Sequence, residues 1–359
     1  MGKSCIVLLS GGLDSLLVLR LMARENIRVT ALHSVNCFHG VGAIEAKKEK
    51  LKAKALELGA SDIVFPDISD AVVALTKKPR FGYGKHLNAC IDCRLHTVRL
   101  GFEHMKTLGA DFVVSGEVVG QRPMSQRRDA MRLADKEIAS WGFEGLFLRP
   151  LSAKLLEQTI PEKEGWISEN ALFDYSGRGR DRQMALAEEI GIGEFPSPGG
   201  GCLLTDPGFS WRLAVLMQSK SHWEPADIEL LKVGRHFQIT PHSRVVASRR
   251  EEENYQLRTL ARPNDRLYIN AEKNGAVVLL RGQKPPSAEA AAAGLAVYYS
   301  KMREQGAAHV ESWRIENDID VEPEEMTADA VDPETLREAE LAFAGKDCIK
   351  KMRMRPKQK

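Results

Sequence analysis

No apolar run in the 359 residues reaches the roughly 18 needed to cross a bilayer, so the sequence excludes a helical membrane span and a membrane partner is not expected. Aromatic residues are few (6%) and the net charge is only +2. Any affinity for nucleic acid must therefore come from local basic patches, not from bulk charge. There are six cysteines, Cys5, Cys37, Cys90, Cys93, Cys202 and Cys348, too dispersed for a disulfide framework; clustered ones read as metal-binding or catalytic. No signal-peptide pattern precedes the first apolar segment, and a cytoplasmic protein is expected. No internal repeat is visible. A Lys-Ser or Lys-Thr pair is also missing from the glycine turn near the N-terminus, which excludes a Walker A loop.

What is present is a soluble, globular composition, 43% hydrophobic and 28% charged, with a length that predicts two or three domains of ~100–200 residues. Strand-like and helix-like segments alternate from the start. Strands are expected at Cys5–Leu9, Val29–His33, Ile63–Phe65, Phe112–Ser115 and Leu146–Leu148. Helices are expected at Leu16–Arg24, Ile44–Leu58, Leu95–Leu108, Ala130–Ser140 and Asp181–Glu189. This alternation predicts an α/β fold, a doubly wound parallel sheet with helices on both faces, whose ligands sit beyond the C-terminal strand ends. The expected domain covers residues 1–190. Residues 191–228 read as a Gly/Pro-rich cysteine loop and linker, 229–320 as a smaller α+β domain, and 321–359 as an acidic and then basic tail.

The glycine turn reads SGGLDS, Ser10–Ser15, between a buried strand and an apolar helix. Gly11 and Gly12 permit a sharp turn that exposes N–H groups, the helix directs its positive end into the turn, and Ser10 and Ser15 add hydroxyls. Asp14 is unusual beside phosphate, and makes sense if Mg²⁺ or a capping role offsets its charge. Further on, NACIDCRLH sets Cys90 and Cys93 in a C-x-x-C step ahead of a helix, and Cys202 follows in PSPGGGCLLTD. Three thiolates with one open position suit an iron–sulfur cluster; zinc completed by His86 or His96, and a plain dithiol, are equally compatible with the spacing. Cys5 reads as a structural core residue and Cys37 as a spare thiol.

SGGLDS resembles the signature of the PP-loop ATP pyrophosphatases, which split ATP between the α- and β-phosphates and transfer AMP to a carbonyl oxygen. The resemblance implies a turn that holds the departing pyrophosphate, with ATP bound by Ser10, Gly11, Gly12, Asp14 and Ser15, and with His33 close by. The C-x-x-C step and LGADFVVSGEVVGQRPMSQ further resemble the tRNA-thiolating branch, the 4-thiouridine synthetases and tRNA 2-thiouridylases. That implies an ATP site lined by Gly116 and Gln121 and a [4Fe–4S] cluster on Cys90, Cys93 and Cys202, with zinc or a Cys persulfide as alternatives. Asp14 and the three cysteines are the implied catalytic residues. The expected activity is a tRNA uridine sulfurtransferase using ATP, Mg²⁺ and sulfur from sulfide or a cysteine desulfurase. The alternative is a PP-loop enzyme that forms a nitrile or inserts sulfur in a small molecule.

VGRHFQITPHSRVVASRREEENYQLRTLARPNDRLYIN and the later AVYYSK resemble the NFACT RNA-binding domain, without that family's G-S-H segment. This implies that RNA docks on the C-terminal part. Candidate phosphate contacts are Arg122, Arg127, Arg128 and Arg132 in one cluster and Arg235, Arg244, Arg249 and Arg250 in another. Arg178, Arg180 and Arg182 are either further contacts or a solvated face. The sequence gives no reading of oligomeric state.

Overall fold

The structure, a computed structural model, describes residues 2–39, 44–195, 202–219, 223–272, 274–316, 319–320, 322–332, 334–335 and 349–350. The chain divides into two compact units, Met1–Gly201 with the last three residues, and Cys202–Pro356. Among the described residues no helix is long and apolar enough to cross a membrane.

The first unit runs β1 (Ser4–Leu8), α1 (Leu13–Arg24), β2 (Arg28–Leu32), α2 (Ile44–Glu57), β3 (Asp62–Val64), α3 (Ser69–Lys77), α4 (Cys90–Leu108), β4 (Phe112–Ser115), α5 (Arg128–Ser140), β5 (Phe147–Leu148), α6 (Ile160–Lys163) and α7 (Asp181–Glu189). Its five strands are parallel in the order β3-β2-β1-β4-β5. The doubly wound sheet expected from the alternation is therefore present. Strand side chains alternate between faces. Cys5 and Val7 join α1 and α7 in one core cluster, and Ile6 joins Val98, Phe102 and Met105 of α4 and Ile138 of α5 in another. Cys5 is thus the core residue the sequence implied, its thiol pushed up by burial. The chain leaves β1 in one direction along the sheet to β2 and β3, then in the other to β4 and β5. The crevice between the C-terminal ends of β1 and β4 is the switch point where such sheets bind ligands.

Two helix starts differ from the sequence expectation. α1 begins at Leu13, not Leu16, because Gly12 is extended (φ −82°, ψ 162°) and serves as the N-cap without a side-chain bond. Asp14 therefore caps nothing. α4 begins at Cys90, not Leu95, so the C-x-x-C step forms its first turn. The Asn88 carboxamide oxygen accepts the Cys90 N–H (3.2 Å), the Ala89 carbonyl accepts the Cys93 N–H (2.9 Å), and Asp92 places an acid at the helix start. Gly101 seats α4 on the sheet, since a side chain there would meet Leu8 at 2.8 Å and Val113 at 3.2 Å.

The second unit contains α8 (Pro207–Ser219), α9 (Pro225–Leu231), β6 (Arg235–Thr240), β7 (Ser243–Ala247), α10 (Glu251–Leu260), β8 (Arg266–Asn270), β9 (Val278–Gly282), α11 (Pro286–Tyr298), β10 (Ala308–Glu316), β11 (Ile319–Asp320) and β12 (Glu324–Ala328). The stretch expected as a linker thus carries two helices. The sheet is antiparallel, in the order β11-β10-β8-β9-β7-β6, with β12 also pairing β10. The Ala-rich α11 covers one face through Ala288, Ala292 and Leu295; Leu230 of α9 and Leu257 of α10 pack on the other. This is the smaller α+β domain the sequence predicted. Residues 196–201 of the Gly/Pro loop, most of 336–359 and Cys348 lie outside the described residues.

Candidate active site

The turn after β1 is organised by its hydroxyls. Gly11 takes φ +82°, the left-handed region that glycine enters freely. The Ser10 hydroxyl accepts the Gly12 N–H (3.3 Å), and the Ser15 hydroxyl donates to the Gly12 carbonyl (2.8 Å) and lies 3.1 Å from that of Ser10. The Gly12 and Ser15 N–H groups are bonded within the turn, whereas those of Leu13 and Asp14 stand at the first two helical positions, where a helix offers its donors no acceptor.

Gly116 closes the crevice from the β4 side. A methyl group there would overlap the Asp14 carbonyl and sit 2.7 Å from the Ser15 nitrogen. Only glycine lets the end of β4 lie directly on the first turn of α1. Gln121, five residues on, donates its Nε2 to Asp14 Oδ2 at 2.8 Å, and Arg180 reaches the same oxygen at 3.3 Å. Arg180, ambiguous in the sequence, is thus the counter-charge of Asp14. The other Asp14 oxygen, Oδ1, and Gln121 Oε1 are both buried and without a hydrogen-bond partner. A buried carboxylate oxygen with no donor is costly unless something fills the position. The arrangement fits Mg²⁺ on Asp14 Oδ1, and the expected ATP-site residues Ser10, Gly11, Gly12, Asp14, Ser15, Gly116 and Gln121 come together around one crevice.

His33, the remaining expected nucleotide neighbour, follows β2. Its Nδ1 donates to the Leu9 carbonyl at 2.7 Å, and its ring meets Phe65 edge-on. Burial, reinforced by the Lys48 charge, lowers its pKa despite the opposing Leu9 bond. A neutral ring holding Nδ1–H in this way leaves Nε2 as an acceptor.

The sequence reading missed the buried charge network behind the crevice. Glu117, the residue after Gly116, pairs with Arg94 of α4 through both carboxylate oxygens and accepts Arg149 Nε at 3.0 Å; Arg149 also reaches Asp135 at 2.8 Å. The side chains of Glu117, Arg94 and Arg149 are 11%, 10% and 4% exposed. Burial raises the Glu117 pKa, but the two guanidiniums overcome that and hold the carboxyl below its ordinary range. Arg94 follows Cys93 directly, so this network ties the cysteine turn to the crevice. Asp92 locks the same turn from its other side, accepting the backbone N–H groups of Arg80 (2.8 Å) and Phe81 (3.2 Å).

Cys90 and Cys93 are half-buried. Burial pushes the Cys90 thiol up; the charge of Arg122 and the Asn88 contact oppose this without cancelling it. Cys202, the third expected ligand, belongs to the second unit. Among the described residues no group of three or more His, Cys, Asp or Glu side chains is placed to hold a metal ion. Cys90 and Cys93 by themselves supply neither the three thiolates of the expected [4Fe–4S] site nor a closed zinc set.

The other candidate RNA contacts are dispersed. Arg127 is exposed and pairs with Asp129 (3.1 Å), and Arg128 donates to the Leu155 carbonyl (3.1 Å). Arg128, Arg132 and Lys136 rise along one face of α5 and line a groove of about 510 Å³. In the second unit Arg235 lies over the Tyr299 ring, the Arg249 guanidinium donates to the Gly234 carbonyl, and Arg250 stands exposed at the N-cap of α10. Asn254 is structural, accepting the Ser248 hydroxyl and the Val277 N–H.

Residues 234–338 match the RNA-binding domain of NFACT proteins. No curated protein matches the chain closely enough to compare. Three solved structures to which it is similar are the C-terminal part of the fibronectin/fibrinogen-binding protein from Streptococcus suis, a 4-thiouridine synthetase–RNA complex with bound ATP, and NMN synthetase from Francisella tularensis. The first is 12% identical with a TM-score of 0.27, covering 58% of this chain and 88% of that one. The second is 16% identical with a TM-score of 0.32, covering 53% of this chain and 52% of that one, so the match spans about half of that synthetase. The third is 12% identical with a TM-score of 0.26, covering 55% of this chain and 90% of that one.

Proposed function

We propose that the chain is an ATP-dependent, AMP-forming tRNA sulfurtransferase of the PP-loop type, working in the cytoplasm. The observation that carries this reading is the crevice at the sheet's switch point. There SGGLDS is closed by Gly116, and one Asp14 oxygen is buried without a hydrogen-bond partner beside the turn that the Ser10 and Ser15 hydroxyls hold. Donors at the turn and helix start suit the pyrophosphate that leaves. Mg²⁺ on Asp14 supplies neutralisation of its charge.

The uridine carbonyl oxygen bonds to the α-phosphorus as the bond from that phosphorus to the pyrophosphate oxygen breaks. Sulfur then adds to the activated carbon, and AMP departs with the original oxygen. Activation is required because oxide is a poor leaving group and AMP a good one. Cys90 and Cys93, joined to the crevice through Arg94 and Glu117, are the residues that carry sulfur as a persulfide. One thiolate takes the outer sulfur of a desulfurase-derived persulfide, whose thiol departs. That sulfur attacks the activated carbon as AMP leaves, and the other cysteine then attacks the carrier sulfur, freeing the thiouridine and leaving a Cys90–Cys93 disulfide that an external thiol reduces. The match at 234–338 supports RNA as the partner, with Arg122, Arg127, Arg128, Arg235, Arg249 and Arg250 as its phosphate contacts.

The test is the thionucleoside content of total tRNA from cells with and without the gene, together with tRNA-stimulated AMP and pyrophosphate release by the purified protein. Loss of one thiolated uridine, with tRNA-dependent AMP release, is the expected result. If all thionucleosides persist after redundant enzymes are deleted, tRNA thiolation is wrong and a small-molecule substrate replaces it.

A further inference from the structure

Three segments far apart in the chain, VGR (233–235), EEEN (251–254) and AVYYSK (296–301), meet at one end of the second unit. Asn254 spans them, accepting the Ser248 hydroxyl and the Val277 N–H and donating to the Gly275 carbonyl at 3.5 Å. Gly275 lies against the end of α11, where a side chain would meet the Ser300 Cα and the Tyr299 carbonyl oxygen, both at 2.9 Å. Ser300 then orders the turn beyond the helix. Its hydroxyl donates to the Val297 carbonyl (2.8 Å) and accepts the Met302 N–H (3.0 Å). The side chains that this turn presents are therefore held in place before any ligand arrives.

What it presents is a row of planar groups. The Arg303 guanidinium lies 3.9 Å from the centroid of the Tyr298 ring. Tyr298 meets Tyr299 edge-on with centroids 5.0 Å apart, and Arg235 lies 4.7 Å from the Tyr299 centroid. The row Arg303–Tyr298–Tyr299–Arg235 thus carries a cation at each end. Its inner members are half-buried, whereas Arg303 and the neighbouring Lys301 are exposed. Among the described residues neither Arg303 nor Lys301 forms an ion pair with a carboxylate. Glu304 is the acid beside them in the chain, and Lys301, Arg303 and Arg235 together outweigh it. A guanidinium stacked on a ring through one face keeps its other face and its in-plane N–H groups for a ligand. A flat π-face and a phosphate are the two groups that such an arrangement takes.

We propose that this end of the second unit captures unpaired nucleotides of an RNA, a base stacking on the outer face of Arg303 while Lys301 and Arg235 meet the phosphates. A base inside a duplex is covered on both faces, so the row selects loops, bulges and single-stranded ends. Surface arginines acting by charge alone would hold a duplex as well as a single strand. The inference rests on the RNA-binding part of the proposed function, which the match at 234–338 supports, and is independent of the sulfur chemistry.

The experiment uses the full chain, without ATP and over a series of salt concentrations. Binding of a short, unstructured, end-labelled oligoribonucleotide is compared by fluorescence anisotropy with that of the same strand annealed to its complement. The parent is expected to bind the unpaired strand at least about tenfold more tightly than the duplex. Arg303→Lys keeps the charge and removes the flat stacking group at an exposed position. It should bind the unpaired strand about tenfold more weakly than the parent, with duplex binding and the salt dependence unchanged. Tyr298→Leu, which keeps every charge and removes the ring beneath Arg303, should lose the same preference. An unpaired-strand preference that survives Arg303→Lys overturns the proposal, and so does a parent that binds strand and duplex equally or favours the duplex; the RNA-binding reading survives all three. A parent that binds neither RNA overturns that reading and this proposal together.

Discussion

The two units leave different buried polar atoms unanswered. In the crevice of the first, two acceptors, Asp14 Oδ1 and Gln121 Oε1, have no donor, while Arg149 and Arg180 are paired. In the second, the leftover atoms are of both kinds, among them donors on Arg262 and Arg266 and the acceptor Gln238 Oε1, each on a side chain engaged through another polar atom. Burial makes each mismatch costly. In the first unit both leftovers are acceptors gathered at one crevice, an arrangement that a cation completes. The contrast also separates groups that hold the protein together from groups that await something. Glu117 is 8% exposed, yet its charge is fully answered by Arg94 and Arg149.

The largest effect is expected from breaking that answer. Glu117→Gln leaves Arg94 and Arg149 buried without their carboxylate and costs about 3–5 kcal/mol, read by chemical denaturation. The same variant tests a pH dependence. The folded Glu117 pKa lies below its unfolded value, so its contribution is fully present above the unfolded value and is lost as pH falls through the depressed one. Acid unfolding of the parent is therefore steeper in that window than that of Glu117→Gln.

Next, Gly116→Ala forces α1 and β4 apart, with an overpacking cost of about 1–3 kcal/mol. It should abolish AMP release at temperatures where circular dichroism still reports a folded chain. Asp14→Asn keeps an oxygen for Gln121 and removes the charge on Oδ1. Its expected signature is a loss of AMP release of about 10²-fold, close to the loss of one preorganised electrostatic group, with Mg²⁺ dependence weakened and the melting temperature little changed. Cys90→Ser and Cys93→Ser sharpen the comparison from inside the first unit, retaining tRNA-stimulated AMP release while thionucleoside formation is lost. The smallest change belongs to the surface. Arg127→Ala removes an exposed pair worth at most about 1 kcal/mol, and should leave stability unchanged while lowering the salt dependence of tRNA binding.

Much of this layout was legible in the sequence. The short apolar runs alternating with helical segments placed the sheet, and SGGLDS marked the turn between β1 and α1. Helix starts were less legible, because α1 and α4 are opened by backbone geometry and by Asn88, not by a side chain at the N-cap. The deciding partners were not legible at all. Arg180 looks like any basic residue until the fold brings it across 166 positions to Asp14, and Glu117 finds Arg94 and Arg149 only once α4 and β5 flank β4. Gln238, Arg244 and Arg281 stand in a row only through antiparallel register, which no spacing within one segment encodes.

Gly101 has a mechanical consequence for turnover. With Leu8 and Val113 pressed against its bare backbone, α4 is a fixed strut that cannot slide along β1 without a clash. The cysteine turn at its tip is therefore anchored at both ends, by the sheet below and by Asp92 and Arg94 above. The same two residues bind segments 78–89 and 116–127 to this post, Asp92 through the Arg80 and Phe81 N–H groups and Arg94 through Glu117 and the Ser125 carbonyl, so the wall beside the cysteines is braced as a unit.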